Sequence, residues 1–139
     1  MRFSGKVIRD KSFWLAEVPV FEAMTQGRTR REALEMIEDW FATMVDIPGF
    51  SVGVDLTGPQ QFEVSSSDLR SMISLLLRRQ RQRSGLSLAE AAERLGAKSR
   101  NTYARYERGE SLPTIEKLDQ LLQAVSADRD LVVDQSGGR

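Results

Sequence analysis

Lys98-Ser99-Arg100-Asn101-Thr102, with Arg105 one helical turn further on, is the stretch whose side chains could do chemistry together. An arginine fork pairs with guanine O6 and N7, and an asparagine amide pairs with adenine N6 and N7. Serine and threonine hydroxyls reach either bases or phosphates. Gathered at one tip, these residue types suit the reading of a nucleic acid duplex. A helix start is the place for them, because a helix laid in the major groove presents its N-terminal residues to the base edges. Ser99 is placed to cap such a helix over Arg100 to Arg108, with Gly109 to close it.

Charge agrees with that assignment. The 139 residues carry 20 basic and 20 acidic side chains, so the net charge is zero. The zero is an average. Residues 1–67 hold 7 basic and 10 acidic side chains, whereas 70–108 hold 10 basic and 3 acidic, a local +7. Such a concentration in a neutral chain marks a candidate surface for an anionic partner. Arg78, Arg79, Arg81 and Arg83 form its densest part. At a helix C-terminus they also suit the helix dipole. Arg81 and Arg83 are the expected phosphate contacts.

The composition removes other chemistries. With no cysteine, disulfides, thiolate zinc sites and a cysteine nucleophile are excluded; with no histidine, imidazole metal ligands and histidine acid–base catalysis are excluded as well. Carboxylate, lysine, tyrosine or serine chemistry remains open, as do carboxylates on Mg²⁺ of the kind two-metal nucleases use. Glu35, Glu38 and Asp39 fall on the solvated side of a helix, opposite Leu34, Ile37 and Phe41. Asp10 lies in a turn and Asp55 near a strand end. No catalytic residue, metal site or cofactor is therefore assigned. No apolar run approaches the roughly 20 residues of a membrane helix, and Met1 to Lys11 lacks a signal-peptide core. A cytoplasmic protein without a membrane partner is expected.

The elements that must position the tip read as an α+β chain in two parts. Strands are expected over Phe3 to Arg9, Phe13 to Val18, Phe21 to Gln26, Ser51 to Leu56 and Gln61 to Val64. Thr29 to Glu32 has capping-box form, and Ala33, Leu34, Ile37, Trp40, Phe41 and Met44 make one helical stripe after it. Ser65 to Asp68 is a polar break and a possible cap, which sets the domains at 1–67 and 68–139. The second part is helical: Asp68 to Arg83 with a stripe of Leu69, Met72, Ile73, Leu76 and Leu77, a helix capped by Ser87 and ended by Gly96, the tip helix, and a helix starting at Pro113 and running to Val125. Tyr103 and Tyr106 are expected to face inward. Leu131-Val132-Val133 carries the only later strand signal, suited to an edge strand, a dimer contact or a terminal anchor. Gly137-Gly138-Arg139 reads as a frayed tail. Two short helices joined by a tight glycine-containing turn form a helix-turn-helix pattern.

Leu86-Ser87-Leu88-Ala89-Glu90-Ala91-Ala92-Glu93-Arg94-Leu95-Gly96, then Tyr103-Ala104-Arg105-Tyr106-Glu107-Arg108-Gly109, then Pro113 and a leucine-rich helix, resembles the Cro/C1-type (XRE) DNA-binding domain over about residues 70–126. The resemblance implies operator-DNA contact through Ser87, Lys98, Ser99, Arg100, Asn101, Thr102 and Arg105. It departs from the family pattern at Leu88, where glutamine is frequent, and in a longer turn at Ala97-Lys98. A two-fold dimer, or a higher homo-oligomer, is expected with it, because operators present half-sites about 34 Å apart.

Phe13 to Pro19, and Thr25-Gln26-Gly27-Arg28-Thr29 stepping into a helix, resemble the HicB antitoxin family over about residues 1–64. That resemblance implies a partial RNase H-like fold of sheet plus helix. It also implies binding and neutralisation of a HicA-like mRNA-cleaving toxin, with repression of the protein's own operon. The net −3 of the first 67 residues would suit a basic toxin. Trp14 and Trp40 are candidate partner contacts, though packing is the commoner use of each. A solitary XRE-type regulator, with an N-terminal part for dimerisation or ligand sensing, is the alternative.

Overall fold

A computed structural model describes residues 1–126 and 128–136. The expected tail at Gly137-Gly138-Arg139 lies outside the described residues. The fold is α+β and divides into two compact units, Met1–Met72 and Ile73–Arg139.

In the first unit, strands β1 (Phe3–Asp10), β2 (Phe13–Val18), β3 (Ala23–Gly27), β4 (Gly53–Gly58) and β5 (Gln61–Ser65) form one sheet in the order β3-β2-β1-β5-β4. All its pairings are antiparallel. Alternation sends Phe3, Val7, Ala16, Val18, Phe62 and Val64 to one face, where they are buried. Helix α1 (Arg30–Val45) covers that face with Ala33, Ile37 and Phe41. Phe21 stands edge-on to both Phe3 and Phe41, each with ring centroids 4.9 Å apart. Gly5 belongs to the same packing: a Cβ there would lie 2.2 Å from the Phe62 ring.

The third strand is shorter than the sequence suggests. Pro19–Phe21 is a single 3₁₀ turn, and Glu22 follows it in the left-handed region at φ 51°. Phe21 is thereby turned into the core instead of starting a strand. The step from β3 into α1 is tight. The Thr25 hydroxyl donates to the Ala33 carbonyl at 2.8 Å, and a Cβ on Gly27 would lie 2.5 Å from the Ala33 nitrogen. Thr29 caps α1 by accepting from the Glu32 N–H.

Helix α2 (Leu69–Arg83) begins in the first unit and ends in the second. Asp68 caps it, accepting from the Ser71 N–H at 3.0 Å and the Ser71 hydroxyl at 2.6 Å. The expected apolar stripe is only part of what α2 buries. Every residue from Ser71 to Leu77 is buried, as is Gln80, while Leu69 of the stripe is half-buried and Arg70 and Gln82 are exposed.

Helices α3 (Leu88–Arg94), α4 (Arg100–Glu107) and α5 (Ile115–Val125) complete the second unit. Helix α5 starts two residues later than Pro113, because the Thr114 hydroxyl accepts from the Lys117 N–H and takes the cap position. The Ser84 hydroxyl donates to the Val125 carbonyl at its far end. Leu131-Val132-Val133 forms no strand and is exposed. Among the described residues no helix is long and apolar enough to cross a membrane.

Candidate nucleic-acid interface

Two glycines and two serines fix the path into the tip helix. Gly85, at φ 70°, ends α2, and the Leu86 N–H donates back to the Arg81 carbonyl at 3.2 Å. Ser87 and Glu90 then form a complete capping box for α3, with both bonds at 3.1 Å. The Glu90 carboxyl is held below its usual range by the Ser87 backbone N–H. At the other end Gly96 takes φ 80°, and the Ala97 N–H reaches the Ala92 carbonyl at 2.9 Å. Ala91 and Ala92 are buried on α3, as is Ala104 on α4, so the pair packs through small side chains. Ser99 caps α4, accepting from the Asn101 N–H at 3.2 Å.

The sequence-selected residues come together at this cap. Lys98, Ser99, Arg100, Asn101 and Arg105 are exposed, Thr102 is half-buried, and Ser87 is exposed at the start of α3. Among the described residues Lys98 and Arg100 join no ion pair. The arginine fork, the amide and the lysine are thus free to take partners from outside. Arg105 lies over the Tyr106 ring at 5.6 Å, a cation–π contact. That contact accounts for a departure from expectation: Tyr103 is fully buried, whereas Tyr106 stays half-buried beside Arg105.

The arginines at the end of α2 have a different use. Arg81 makes a two-pronged pair with Glu107, Nε to one carboxylate oxygen at 2.6 Å and Nη2 to the other at 3.0 Å. Its Nη1 donates to the Leu86 carbonyl at 2.9 Å. The Arg81 side chain is 15% exposed and that of Glu107 only 7%. The hydrogen bond to Glu107 raises the Arg81 pKa. Arg83 pairs with Asp128 at 3.2 Å and is 11% exposed. Both residues, expected as phosphate contacts, serve instead as internal ties. Bidentate geometry and near-burial make that use the stronger one for Arg81.

Sequence reasoning missed the clamp that aims α4. Besides Arg81 on Glu107, the Ser74 hydroxyl lies 3.0 Å from the Tyr106 carbonyl and 2.6 Å from that of Glu107. The Glu107 carbonyl is one that the end of a helix leaves without an internal partner, and the Tyr106 carbonyl also accepts from the Gly109 N–H at 3.2 Å. The buried Tyr103 hydroxyl donates to the Leu77 carbonyl at 3.4 Å, and burial pushes its pKa up. A spacing of 26 to 33 residues between partners leaves no local pattern to read.

In the first unit the carboxylates do not converge. Arg2 reaches Glu63 at 3.2 Å and Asp55 at 3.4 Å, while Glu35, Glu38 and Asp39 are exposed on α1. Among the described residues no cluster of three or more acidic side chains could hold a metal ion. Trp14 and Trp40 are half-buried, and Trp40 packs edge-on to Phe41 at 4.9 Å.

Residues 73–134 match the family described as a helix-turn-helix domain. The match contains all of α3, α4 and α5 and most of α2. The C-terminal unit is accordingly a helix-turn-helix domain, a type of module that binds DNA. No curated protein matches the chain.

Proposed function

We propose that this protein is a HicB-like antitoxin that also represses its own operon in the cytoplasm. Residues 68–139 hold operator DNA, with α4 in the major groove. Arg100 and Asn101 read bases. Ser87, Lys98, Ser99, Thr102 and Arg105 contact phosphates or neighbouring base edges. Residues 1–67 bind and neutralise a HicA-like mRNA-cleaving toxin. The protein acts as a homodimer or higher homo-oligomer and has no catalytic role.

The observation that carries the DNA half is the capped, exposed start of α4. Lys98 and Arg100 stand there without an ion-pair partner among the described residues, inside a region that matches a helix-turn-helix domain. The antitoxin half is supported by the Phe13 to Pro19 segment and the Thr25-to-Thr29 step into α1, which resemble the HicB pattern. A small sheet carrying one helix is compatible with it.

The test is co-expression with the products of adjacent genes, joined to footprinting upstream of the protein's own gene. Relief of a neighbour's toxicity together with a protected operator is the expected result. A protected operator without any relieved toxicity would leave a solitary transcriptional regulator and reject the antitoxin half.

A further inference from the structure

The outward face of the N-terminal sheet is polar at Ser4, Lys6, Asp10, Glu17 and Gln26, but an apolar patch lies among them. An antiparallel sheet covered on one side normally presents polar residues on the other. Here the outward positions of β1, β2 and β3 bring Ile8, Phe13, Leu15 and Met24 together. Ile8 is 44% exposed, Phe13 46% and Met24 62%. Ile8 and Leu15 are direct cross-strand partners, and so are Lys6 and Glu17, one step along the same two strands. Met24 extends the second row as the neighbour of Glu17. Among the described residues neither Lys6 nor Glu17 joins an ion pair.

We propose that this face is a homodimer surface, and that its occupant is the same face of a second copy. The cross-strand register makes the face complementary to itself. Consider a two-fold axis parallel to the strands and running between β1 and β2. It lays β1 of one copy over β2 of the other. Ile8 then meets the partner's Leu15, and Lys6 meets the partner's Glu17. The symmetry repeats each contact, as it must in an isologous interface. Two cation–anion contacts and two apolar contacts arise from one four-residue set. A face of single charge sign would lack this property. The sheet-on-sheet geometry is an ordinary one, with the strand directions of two facing sheets close to aligned. The dimer that operator binding calls for would then be built by the first unit, so the inference rests in part on the DNA-binding reading.

The test is sedimentation of the full chain and of two charge variants, with circular dichroism and thermal melting to confirm folding. Lys6→Glu makes the outward pair doubly acidic, and Glu17→Lys makes it doubly basic. The wild type is expected to self-associate. Each variant alone should dimerise at least about tenfold more weakly, since like charges across a contact are strongly disfavoured. A one-to-one mixture of the variants should recover the dimer, because an acidic face then meets a basic one. Recovery on mixing cannot come from the pair within a single sheet. The surface is wrong if the wild type is monomeric, if either variant dimerises unchanged, or if the mixture stays monomeric. Binding of each variant to a single operator half-site separates the two readings. Half-site binding that persists while the dimer result fails removes this surface and leaves the DNA-binding reading standing.

Discussion

The two arginine-bearing regions of the helical unit look alike as sequence and differ as structure. The end of α2 carries Arg78, Arg79, Arg81 and Arg83, and the start of α4 carries Lys98 and Arg100. By charge density α2 is the stronger candidate for an anionic partner. Yet Arg81 is spent on Glu107 and the Leu86 carbonyl, and Arg83 on Asp128. Lys98 and Arg100, fewer in number, remain exposed and take no ion-pair partner among the described residues. Positive charge in a sequence is a supply, and tertiary pairing decides how much of it faces outward. An arginine buried against a carboxylate holds the fold, while an exposed one beside a helix cap can meet a ligand.

That contrast can be broken most directly at Arg81. Arg81→Ala leaves Glu107 as a nearly buried carboxylate without its partner, and should lower stability by about 3 kcal/mol. Urea unfolding measures it. A loss beneath 1 kcal/mol would show the pair to be an ordinary surface contact. Glu107→Gln, which keeps the shape and part of the hydrogen bonding, should cost less.

Arg100→Ala and Asn101→Ala should do the reverse. Each should leave the urea midpoint close to wild type while weakening operator binding by about 1–3 kcal/mol and relaxing specificity at one base position. Equal losses on operator and random DNA would transfer the reading role to a neighbour in the turn.

A salt titration sharpens the division further. Lys98→Ala should reduce the slope of log affinity against log salt by about one, the signature of one lost phosphate contact. Arg83→Ala should leave that slope unchanged, because its charge is already met by Asp128. A shallower slope for Arg83→Ala would return the end of α2 to the DNA surface.

The smallest effect is at the opposite end of α2. Asp68 has its pKa lowered, chiefly by the Ser71 hydroxyl and then by the Ser71 N–H. A lowered folded-state value means that its stabilisation is present above the ordinary carboxylate range and is lost as pH falls through the lowered value. Asp68→Asn keeps a capping side chain and removes the charge. Its stability should sit slightly beneath wild type at neutral pH, and the two curves should converge in acid.

Much of this was legible locally. The capping box of Ser87 and Glu90, the glycines at 85, 96 and 109, and the strand pair over residues 3–18 are short-range signals, and each acts where it stands in the chain. The misread places share a different cause. Phe21 left its expected strand because the core between Phe3 and Phe41 accepts its ring. Tyr106 stayed half-buried because Arg105 lies over it. Leu131 to Val133 has strand composition but no strand partner among the described residues.

What the sequence determined by itself is the set of elements and the tip of α4, since capping, alternation and glycine turns depend on neighbours a few residues away. What only the tertiary structure decided is the fate of each charge and the character of the sheet's outer face. The Arg81–Glu107 pair joins residues 26 positions apart, and the match of Lys6 with Glu17 depends on strand register. Ion pairing and register are properties of atoms brought together by folding, and no run of adjacent residues contains them.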